Sequence, residues 1–315
     1  MEWNWILKGS RVTSEGRLAT ERWRAAFGQT RSPQKEQAMA KGHAQWQAAY
    51  AAMVERNIGI VSEAEQERLR TATCALPGLG GLGGVALEVL VRSGVGNFRV
   101  VDKDTFEPSN LNRQLLAVSG TLGRRKIDAA EERARTINPD VTIRKWDRVD
   151  DDNVGDVLDG ANVVVQAIDQ LRPCLVVARK ARELGIPLVE GWAIPFANVR
   201  VFTCQTPTLE EAYGLPTADR AVADIGEDEL RRLQTDLLFG LRRIQGVERF
   251  YSAEALDRIR QGRIPSFAPM VWFTAVLMAV EALKVLLEWG APALAPAFAL
   301  YDPFEHRIPE VQNEP

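Results

Sequence analysis

The sequence predicts an α/β protein: a doubly wound, mostly parallel, Rossmann-like sheet with a helical N-terminal extension and a helical insertion. Three observations support this prediction. A glycine-rich turn at 78–83 joins an apolar strand to a helix. Short apolar runs alternate with helical segments from residue 71 to residue 204. The run at 163–168 is mostly apolar, as in a strand that helices cover on both faces of a parallel sheet.

The composition excludes several classes of protein. The 315 residues suffice for one α/β domain with appendages, and a hydrophobic fraction of 46% is that of an ordinary globular protein. The net charge of -3 argues against a general nucleic-acid binder. The chain begins without the pattern of a signal peptide. The most apolar stretch, 268–287, is interrupted by Glu281 and Lys284, so we expect a buried helix and no membrane span.

The cysteines and histidines limit the chemistry further. Cys74, Cys174 and Cys204 form no CxxC pair, so we expect no zinc site. Few, unpaired cysteines suit a reducing compartment, and we expect a cytoplasmic protein. The two histidines, His43 and His306, lie far apart in the sequence, which disfavours catalysis by a Ser–His–Asp or Cys–His arrangement.

We divide the chain into four segments. Residues 1–53 form a partly helical extension, 54–204 the core, 205–263 a charged helical insertion or crossover loop, and 264–315 a helix and a hairpin that complete the core. The extension carries a helix from Pro33 to Glu55. It also contains three tryptophans, which either dock a peptide or carrier protein or pack on the protein's own core or dimer partner. These are Trp3, Trp5 and Trp23.

The elements of the core follow from apolar periodicity and from start and stop signals. A first helix, 62–70, starts at Ser62 with Glu65 three residues later, which is the pattern of a capping box. Later helices end at Asn138-Pro139 and at Gly185. The strands are expected at 71–76, 97–101, 141–146, 163–168, 186–190 and 199–204. The helices between them are expected at 85–91, where the glycines open the helix, and at 122–136 and 172–184.

The two C-terminal segments lack this alternation. Charged, helical periodicity predicts helices at 227–243 and 253–260 in the insertion. A long apolar helix follows at 270–289. The final hairpin is expected to pair 297–301 with 307–311 around Asp302-Pro303.

The residues after the first two strands indicate a nucleotide site. Glycines after a strand let backbone N–H groups close on a phosphate at a helix N-terminus. An acidic residue about 20 positions on, Asp102, suits a ribose hydroxyl, although a solvated carboxylate in a turn is the alternative. The glycines concerned are Gly78, Gly80, Gly81 and Gly83.

Two cations follow at Arg113 and Lys126. A dinucleotide site does not need two cations beyond the second strand, whereas a site that splits a triphosphate does. The alternative is that both residues are charges on the protein surface without a ligand. Lys126 is expected in the first turns of a helix, where a cation is mildly disfavoured unless an anion lies nearby.

A carboxylate follows the buried strand 163–168. Asp169 is either the N-cap of the next helix or a ligand of Mg²⁺, directly or through water. Magnesium binds one or two carboxylates together with substrate phosphates, which suits this end of the sheet.

The combination of these motifs resembles the ThiF/MoeB/HesA family, whose adenylation fold is shared with ubiquitin-activating enzymes. The motifs are GxGGxG, DxD, NLxRQ, GxxK and the strand-terminal Asp169. The resemblance covers roughly residues 54–204, with weaker support around 264–287.

The resemblance implies ATP and Mg²⁺ as cofactors and a role for each matched residue. Asp102, with Asp104 in the same DxD motif, binds the ribose side of the nucleotide. Asn110 and Arg113 contact phosphates. In the same scheme Lys126 neutralises the triphosphate and Asp169 positions magnesium. Arg56 matches an arginine that the neighbouring subunit of a homodimer donates.

The resemblance also implies a substrate: the carboxylate of a small ubiquitin-like or sulfur-carrier protein, or of a peptide. Many relatives hold zinc with two CxxC pairs, which this chain lacks. Some pass the acyl group to a cysteine, for which Cys204 is the preferred candidate here, although a small buried hydrophobic residue is the alternative.

Three other functions stay open. The segment 167–173 resembles the tRNA threonylcarbamoyladenosine dehydratases, although the acidic balance counts against a tRNA substrate. A non-catalytic scaffold of the same fold has no use for Arg113, Lys126 and Asp169. A nicotinamide-dependent dehydrogenase is disfavoured by the NLxRQ segment and by the lack of a nearby histidine.

Overall fold

The computed structural model describes residues 46–240, 249–261 and 263–308, which build a seven-stranded sheet flanked by helices. The strands are β1 (Thr73–Pro77), β2 (Asn97–Val101), β3 (Thr142–Trp146), β4 (Val163–Gln166), β5 (Leu188–Glu190), β6 (Ala197–Phe202) and β7 (Ala299–Tyr301). The helices are α1 (Ala48–Val54), α2 (Glu63–Thr71), α3 (Gly81–Arg92), α4 (Lys126–Ile137), α5 (Val154–Leu158), α6 (Leu171–Glu183), α7 (Leu209–Tyr213), α8 (Glu227–Gly240), α9 (Ala253–Arg260) and α10 (Ala268–Leu287).

The strand order confirms the predicted doubly wound, mostly parallel sheet. It reads β3-β2-β1-β4-β5-β6-β7, with the first five strands parallel and β6 and β7 antiparallel to their neighbours. The chain winds outward from β1 to β3 and then crosses to β4 on the other side of β1. The carboxyl ends of β1 and β4 therefore form a topological switch point, where ligands bind in open sheets.

The sheet carries one apolar core on each face. Alternate strand residues point to opposite faces, so neighbours such as Val164 and Val165 enter different cores. One core packs β1 and β2 against α3, α4 and α10, and the other packs the sheet against α5, α6 and α7. A third, small cluster lies under the insertion and includes Ile194, Phe196 and Tyr251.

Helix α10 is the apolar segment predicted to be buried. Among the described helices it alone is long and apolar enough, by length and composition, to cross a membrane. Half of that stretch is buried, and the helix contacts α3, β4 and β6. Its buried residues include Ala275, Met278 and Ala279, which belong to the core of one sheet face.

Several predicted helix boundaries are confirmed and others shift. Helix α2 begins with the expected capping box, in which Ser62 and Glu65 exchange hydrogen bonds. The start predicted at 122 for α4 is wrong, because a 3-10 turn at Ser119–Thr121 and a left-handed Gly123 (φ 77°) precede it. The helix therefore begins at Lys126 itself. Helix α5, five residues long, was not predicted because it is too short to show periodicity.

The terminal predictions are tested only in part. Of the helix predicted at 33–55, the described portion is α1, and the three tryptophans of the extension lie outside the described residues. The first arm of the C-terminal hairpin forms β7, which pairs with β6. The second arm begins with a bridge between Asp302 and Arg307, and residues beyond 308 lie outside the described part. The insertion is helical as predicted, containing α7, α8 and α9.

Two adjacent glycines in the first turn of α3 should respond in opposite ways when each is replaced by alanine. A Cβ on Gly83 would lie 1.8 Å from the carbonyl oxygen of Gly78, whereas a Cβ on Gly84 would lie 3.5 Å from Leu116. We expect Gly83→Ala to destabilise the fold by about 2–3 kcal/mol through forced backbone movement. Gly84→Ala should be neutral or stabilising by about 0.5–1 kcal/mol, because alanine restricts the unfolded chain. Urea denaturation measures both, and equal effects would contradict the close approach of α3 to β1.

Candidate active site

The glycine turn between β1 and α3 leaves an uncapped helix N-terminus at the switch point. Gly78 is left-handed (φ 95°), and a Cβ there would lie 2.4 Å from the backbone oxygen of Ala167, just after β4. The N-cap of α3 is Gly80, which provides no side-chain cap, and the first helical hydrogen bond runs from Gly84 N to Gly80 O (3.0 Å). The N–H groups of residues 81–83, in the first turn of α3, have no acceptor within the helix and are thus available to an anion.

Asp102, directly after β2, is fixed by two backbone amides. Its Oδ2 accepts from Leu79 N (2.8 Å) and its Oδ1 accepts from Asp104 N (2.9 Å). Burial raises the pKa of Asp102 above its usual value, against the lowering effect of those amides and of Lys126. Each oxygen keeps a lone pair, so the carboxylate can accept hydroxyl hydrogen bonds beside the glycine turn.

Lys126 begins α4 and lies in the same crevice with a largely buried side chain. Its Nζ lies 3.0 Å from Oδ2 of Asp104, and its backbone N–H donates to the oxygen of Asp104. The side chain is 8% exposed, while that of Asp104 is 54% exposed. The structure thus gives Asp104 a contact that the sequence did not suggest: it supplies the anion that offsets a cation at a helix N-terminus.

Arg113 lies over the start of α3. Its Cγ is 3.6 Å from the position of a Cβ on Gly81, and its guanidinium donates to Ser109 O (3.0 Å) and to Asn112 Oδ1 (2.8 Å). Among the described residues no ion pair occupies this guanidinium. Its backbone oxygen accepts from Trp272 Nε1 of α10 (2.7 Å). The loop therefore holds a cation ready for an anion at the helix N-terminus.

Asn110 shapes this loop from within. It is buried, and its Oδ1 accepts from Glu107 N (3.0 Å), which closes the 3-10 turn Pro108–Asn110. In this arrangement its side chain orients the loop between the end of β2 and α4 that carries Arg113, called the arginine loop below.

Asp169 is exposed after β4 and does not cap the next helix. The N-cap of α6 is Gln170, so the N-cap interpretation of Asp169 is wrong. Its backbone oxygen accepts from Gln234 Nε2 of α8, whereas its carboxylate makes no hydrogen bond to another described residue. A free carboxylate beside a phosphate site fits Mg²⁺. The described residues contain no group of three or more His, Cys, Asp or Glu side chains that could hold a metal on their own.

Arg56 lies at the far end of α3 from the glycine turn. It is exposed in the 3-10 turn Glu55–Asn57, and Nδ2 of Asn57 donates to the oxygen of Ser93, the C-cap of α3 (3.4 Å). Twelve helical residues span about 18 Å, which separates Arg56 from the glycine turn of its own chain.

A cavity of about 140 Å³ adjoins the glycine turn beyond β4 and β5. Leu82 and Asp169 border it on the side of the glycine turn, and Gln234 and Leu237 of α8 also line it. Helix α8 of the insertion therefore covers this part of the site. The lining also includes Gln166, Cys174, Glu190, Trp192, Tyr213 and Tyr251.

Glu190, at the end of β5, is held by a buried network. Its Oε2 accepts from Nε of Arg200 (3.2 Å) and from the hydroxyl of Tyr213 (2.6 Å), and Trp192 donates to that hydroxyl. Three aromatic rings surround the Arg200 guanidinium, with centroids 4.0–4.7 Å from its carbon. Sequence reasoning missed this network because its members come from three separate elements.

Cys204 does not fit the acyl-accepting role that the sequence suggested. It follows β6, which is antiparallel to β5 with Phe202 opposite Leu188. It therefore lies at the edge where the parallel strands begin, opposite to the switch point. The sequence indicated the strand but not its direction.

Cys174, on α6, is the cysteine that lines the cavity. Its Sγ donates to the backbone oxygen of Ile168 (3.4 Å). Burial, and then the charges of Glu190 and Asp169, raise the pKa of this thiol well above its usual value. It stays protonated at neutral pH, which disfavours nucleophilic chemistry.

Comparison with known proteins shows relatives along most of the chain. The ThiF family matches residues 54–315. The sulfur carrier protein adenylyltransferase of Thermus thermophilus is 32% identical over 250 residues, which cover 76% of this chain and 78% of that protein. The tRNA threonylcarbamoyladenosine dehydratase of Haemophilus influenzae is 39% identical over 128 residues, or 39% of this chain and 49% of that protein. The solved structure of E. coli MccB with ATP has the same fold, with a TM-score of 0.59 at 16% identity, covering 85% and 72% of the two chains.

Alkylation with iodoacetamide should distinguish the cysteines. We expect the exposed Cys204 to react first at pH 8, and Cys174 to react at least about tenfold more slowly because its thiol is protonated. The rate at Cys174 should rise about tenfold per pH unit as the thiolate forms. Mass spectrometry of tryptic peptides measures each site, with the fully buried Cys74 as the unreactive reference. Equal rates at Cys174 and Cys204 at pH 8 would contradict the buried environment of the Cys174 thiol.

Proposed function

The chain belongs to the ThiF family, and from that premise we propose that it is an ATP- and Mg²⁺-dependent adenylyltransferase that activates the carboxylate of a small carrier protein or a peptide. The observation that supports this most directly is the uncapped N-terminus of α3 with two cations beside it, one on the loop that carries Arg113 and the other at the first residue of α4. Arg113 lies over Gly81, and Lys126 lies beside Asp104 with little exposure to solvent. Such a crevice suits a polyphosphate.

The proposed reaction is attack of an acceptor carboxylate oxygen on the α-phosphorus of ATP. A new oxygen–phosphorus bond forms, the bond to the bridging oxygen of the β-phosphate breaks, and pyrophosphate leaves with its electrons. The products are an acyl adenylate and pyrophosphate. Such a transfer depends on positioning and charge neutralisation more than on a protein nucleophile.

The residues of the crevice divide these tasks. Asp102 accepts the ribose hydroxyls, and the amides at the start of α3 cradle phosphate oxygens. Arg113 and Lys126 face the charge that accumulates on the leaving pyrophosphate. Asn110 keeps the arginine loop in shape through its hydrogen bond to Glu107.

Asp169 is the residue proposed to hold magnesium. Bound there with phosphate oxygens, Mg²⁺ would supply charge neutralisation and fix the geometry of the triphosphate. The hydrogen bond from Gln234 to the backbone of Asp169 would position this carboxylate from the insertion.

The acceptor is proposed to be a protein or peptide rather than tRNA. The similarity to a tRNA dehydratase covers about half of that protein. The side chains lining the cavity beside Asp169 include no Lys, Arg or His, and a phosphate-rich acceptor would need such cations.

We also propose a homodimer in which Arg56 serves the partner's site. The position of Arg56 at the far end of α3 supports a role in trans, because the turn that carries it cannot approach its own glycine turn. Exposed Ile58 and Ile60 adjoin Arg56, and such apolar exposure suits a contact with a second copy.

Removing either cation should reduce activity strongly without unfolding the protein. We expect Arg113→Ala and Lys126→Ala each to reduce acceptor-dependent pyrophosphate exchange into ATP about 10²–10³-fold, the effect of deleting one stabilising donor. Thermal unfolding should change little for Arg113→Ala, whose side chain bonds only to its own loop.

The matched control is Lys145→Ala. Lys145 forms exposed ion pairs with Asp128 and Glu131 on the surface and should keep normal exchange.

A melting temperature raised by NAD but not by ATP with Mg²⁺ would favour the dehydrogenase instead. Parallel losses of activity and stability in Arg113→Ala would assign that residue a structural role.

Mixing two inactive variants should restore activity if Arg56 acts in trans. In a heterodimer of Arg56→Ala and Lys126→Ala, one of the two sites has both native residues. Equal mixing should therefore recover roughly a quarter of the wild-type exchange rate, since half of the dimers are mixed. Recovery is measured against each variant alone, and light scattering checks the dimer. Absence of recovery from a confirmed mixed dimer would refute the role in trans.

A further inference from the structure

The loop that carries Asp169 is held through its backbone, and one of the contacts that hold it comes from the insertion. Residues 167–170 join β4 to α6 without regular structure. Sγ of Cys174 donates to the backbone oxygen of Ile168 (3.4 Å), and Nε2 of Gln234 donates to the backbone oxygen of Asp169. One side chain of α8 therefore fixes the peptide group beside the free carboxylate.

Gln234 is the polar member of an apolar helix face. It lies on one face of α8 with Leu230, Leu237 and Leu238, at positions i, i+4, i+7 and i+8 of the helix. Leu230 is 3% exposed in the core on that side of the sheet, and Leu237 packs partly against the same core. The hydrogen bond of Gln234 therefore links the position of this helix face to the position of the loop.

The two halves of α8 are held differently. The first turn is fixed on α6, because Arg172 donates to Oε1 of Glu227 (2.7 Å) and, just before the helix, to the oxygen of Val222 (2.6 Å). The second half lines the cavity with Leu237 and Leu238, and its one described hydrogen bond to the rest of the fold goes to the loop. A segment with few packed apolar contacts opens locally at low cost, so this half of α8 depends on that bond.

The same half of the helix borders both parts of the crevice. The cavity of about 140 Å³ is lined by α8 and by Gln166 and Glu190 at the strand ends. Asp169 lies on the border of this cavity and presents its carboxylate beside the glycine turn. A displacement of α8 would thus change the shape of the cavity and the position of the carboxylate together.

The carboxylate and the backbone oxygen of Asp169 belong to one residue, so a contact that fixes one restricts the other. A cation held by the carboxylate and by phosphate oxygens would restrict the loop. The loop oxygen then bonds to Gln234 at a smaller cost in conformational entropy, and the reverse holds as well. Such coupling between two sites is reciprocal by thermodynamic necessity.

We propose that Gln234 is a positioning residue that couples the metal site to the insertion. Binding of Mg²⁺ with ATP at Asp169 holds the second half of α8 in place over the cavity, and an occupant of the cavity strengthens metal binding by the same factor. The acceptor therefore binds more tightly to the enzyme that already carries ATP and metal. This inference rests on the proposed function, since it takes Asp169 as the magnesium ligand.

The first test is amide hydrogen exchange of α8 with and without metal. The nucleotide is α,β-methylene-ATP, in which the bond between the α- and β-phosphates cannot be split. In the wild type, Mg²⁺ with this analogue should slow exchange in peptides covering residues 227–240 about fivefold or more relative to the analogue in EDTA. In Gln234→Met, which has a similar length but no donor, the metal should leave the exchange rate of α8 unchanged.

The second test is the affinity for Mn²⁺, followed by electron paramagnetic resonance in the presence of the same analogue. Gln234→Met should weaken Mn²⁺ binding about fivefold through loss of the coupling. Its affinity for the analogue without metal and its melting temperature should stay those of the wild type, because the side chain is half-buried and contacts only the loop. The control variant Gln205→Met makes the same change at an exposed position outside the cavity and should behave as the wild type in both tests.

Asp169→Asn separates this inference from the proposed function, because it keeps the backbone oxygen that Gln234 contacts and removes the charged ligand. Suppose that this variant weakens Mn²⁺ binding as expected. The coupling alone is then overturned if metal leaves the exchange of α8 unchanged in the wild type, if Gln234→Met responds as the wild type does, or if Gln234→Met melts well below it. If Asp169→Asn binds Mn²⁺ as tightly as the wild type, or if the analogue does not bind at all, the proposed function fails as well.

Discussion

The close packing of the glycine turn against the end of β4 determines the geometry of the whole site. Gly78 and Gly83 lie so near backbone oxygens that a methyl group on either would collide with them. This contact brings the N-terminus of α3 beside Ala167, and thereby places Asp169 and Gln166 next to the backbone amides of the first turn of α3. The nucleotide side and the cavity side of the crevice are thus two halves of one arrangement, joined where β1 meets β4.

The electrostatics of the crevice follow from the same arrangement. A cation at the start of a helix is unfavourable unless an anion is near, and Asp104 supplies that anion to Lys126. On the other side of β4, Arg200 balances Glu190. Glu190 is thus neutralised within the fold, whereas the ammonium of Lys126 keeps donors beyond its pair with Asp104 and can still bind an anion together with Arg113 and the amides of α3.

Local signals predicted the parts of the structure that depend on neighbours in the sequence. The glycine turn, the Ser62 capping box and the alternation of strands and helices are of this kind, and they sufficed for the fold class. Strand direction is set by long-range pairing, which is why Cys204 was expected near the site and lies at the opposite edge. Gln166 carried a signal, a polar residue inside an apolar strand. The partners of Glu190 carried none, since Arg200 and Tyr213 reach it from other elements.

Helix α10 also bears on how the molecule is made. Trp272 donates to the backbone of Arg113 across 159 positions of sequence, and Val271 lies 2.7 Å from the place of a Cβ on Gly81. The loop that carries the guanidinium therefore rests on a helix synthesised long after it. During translation the sheet can form from β1 to β5 while the crevice beside the glycine turn still lacks this support. The nascent chain gains a finished crevice only once α10 has left the ribosome and docked, so loop closure over that distance is a late step of folding.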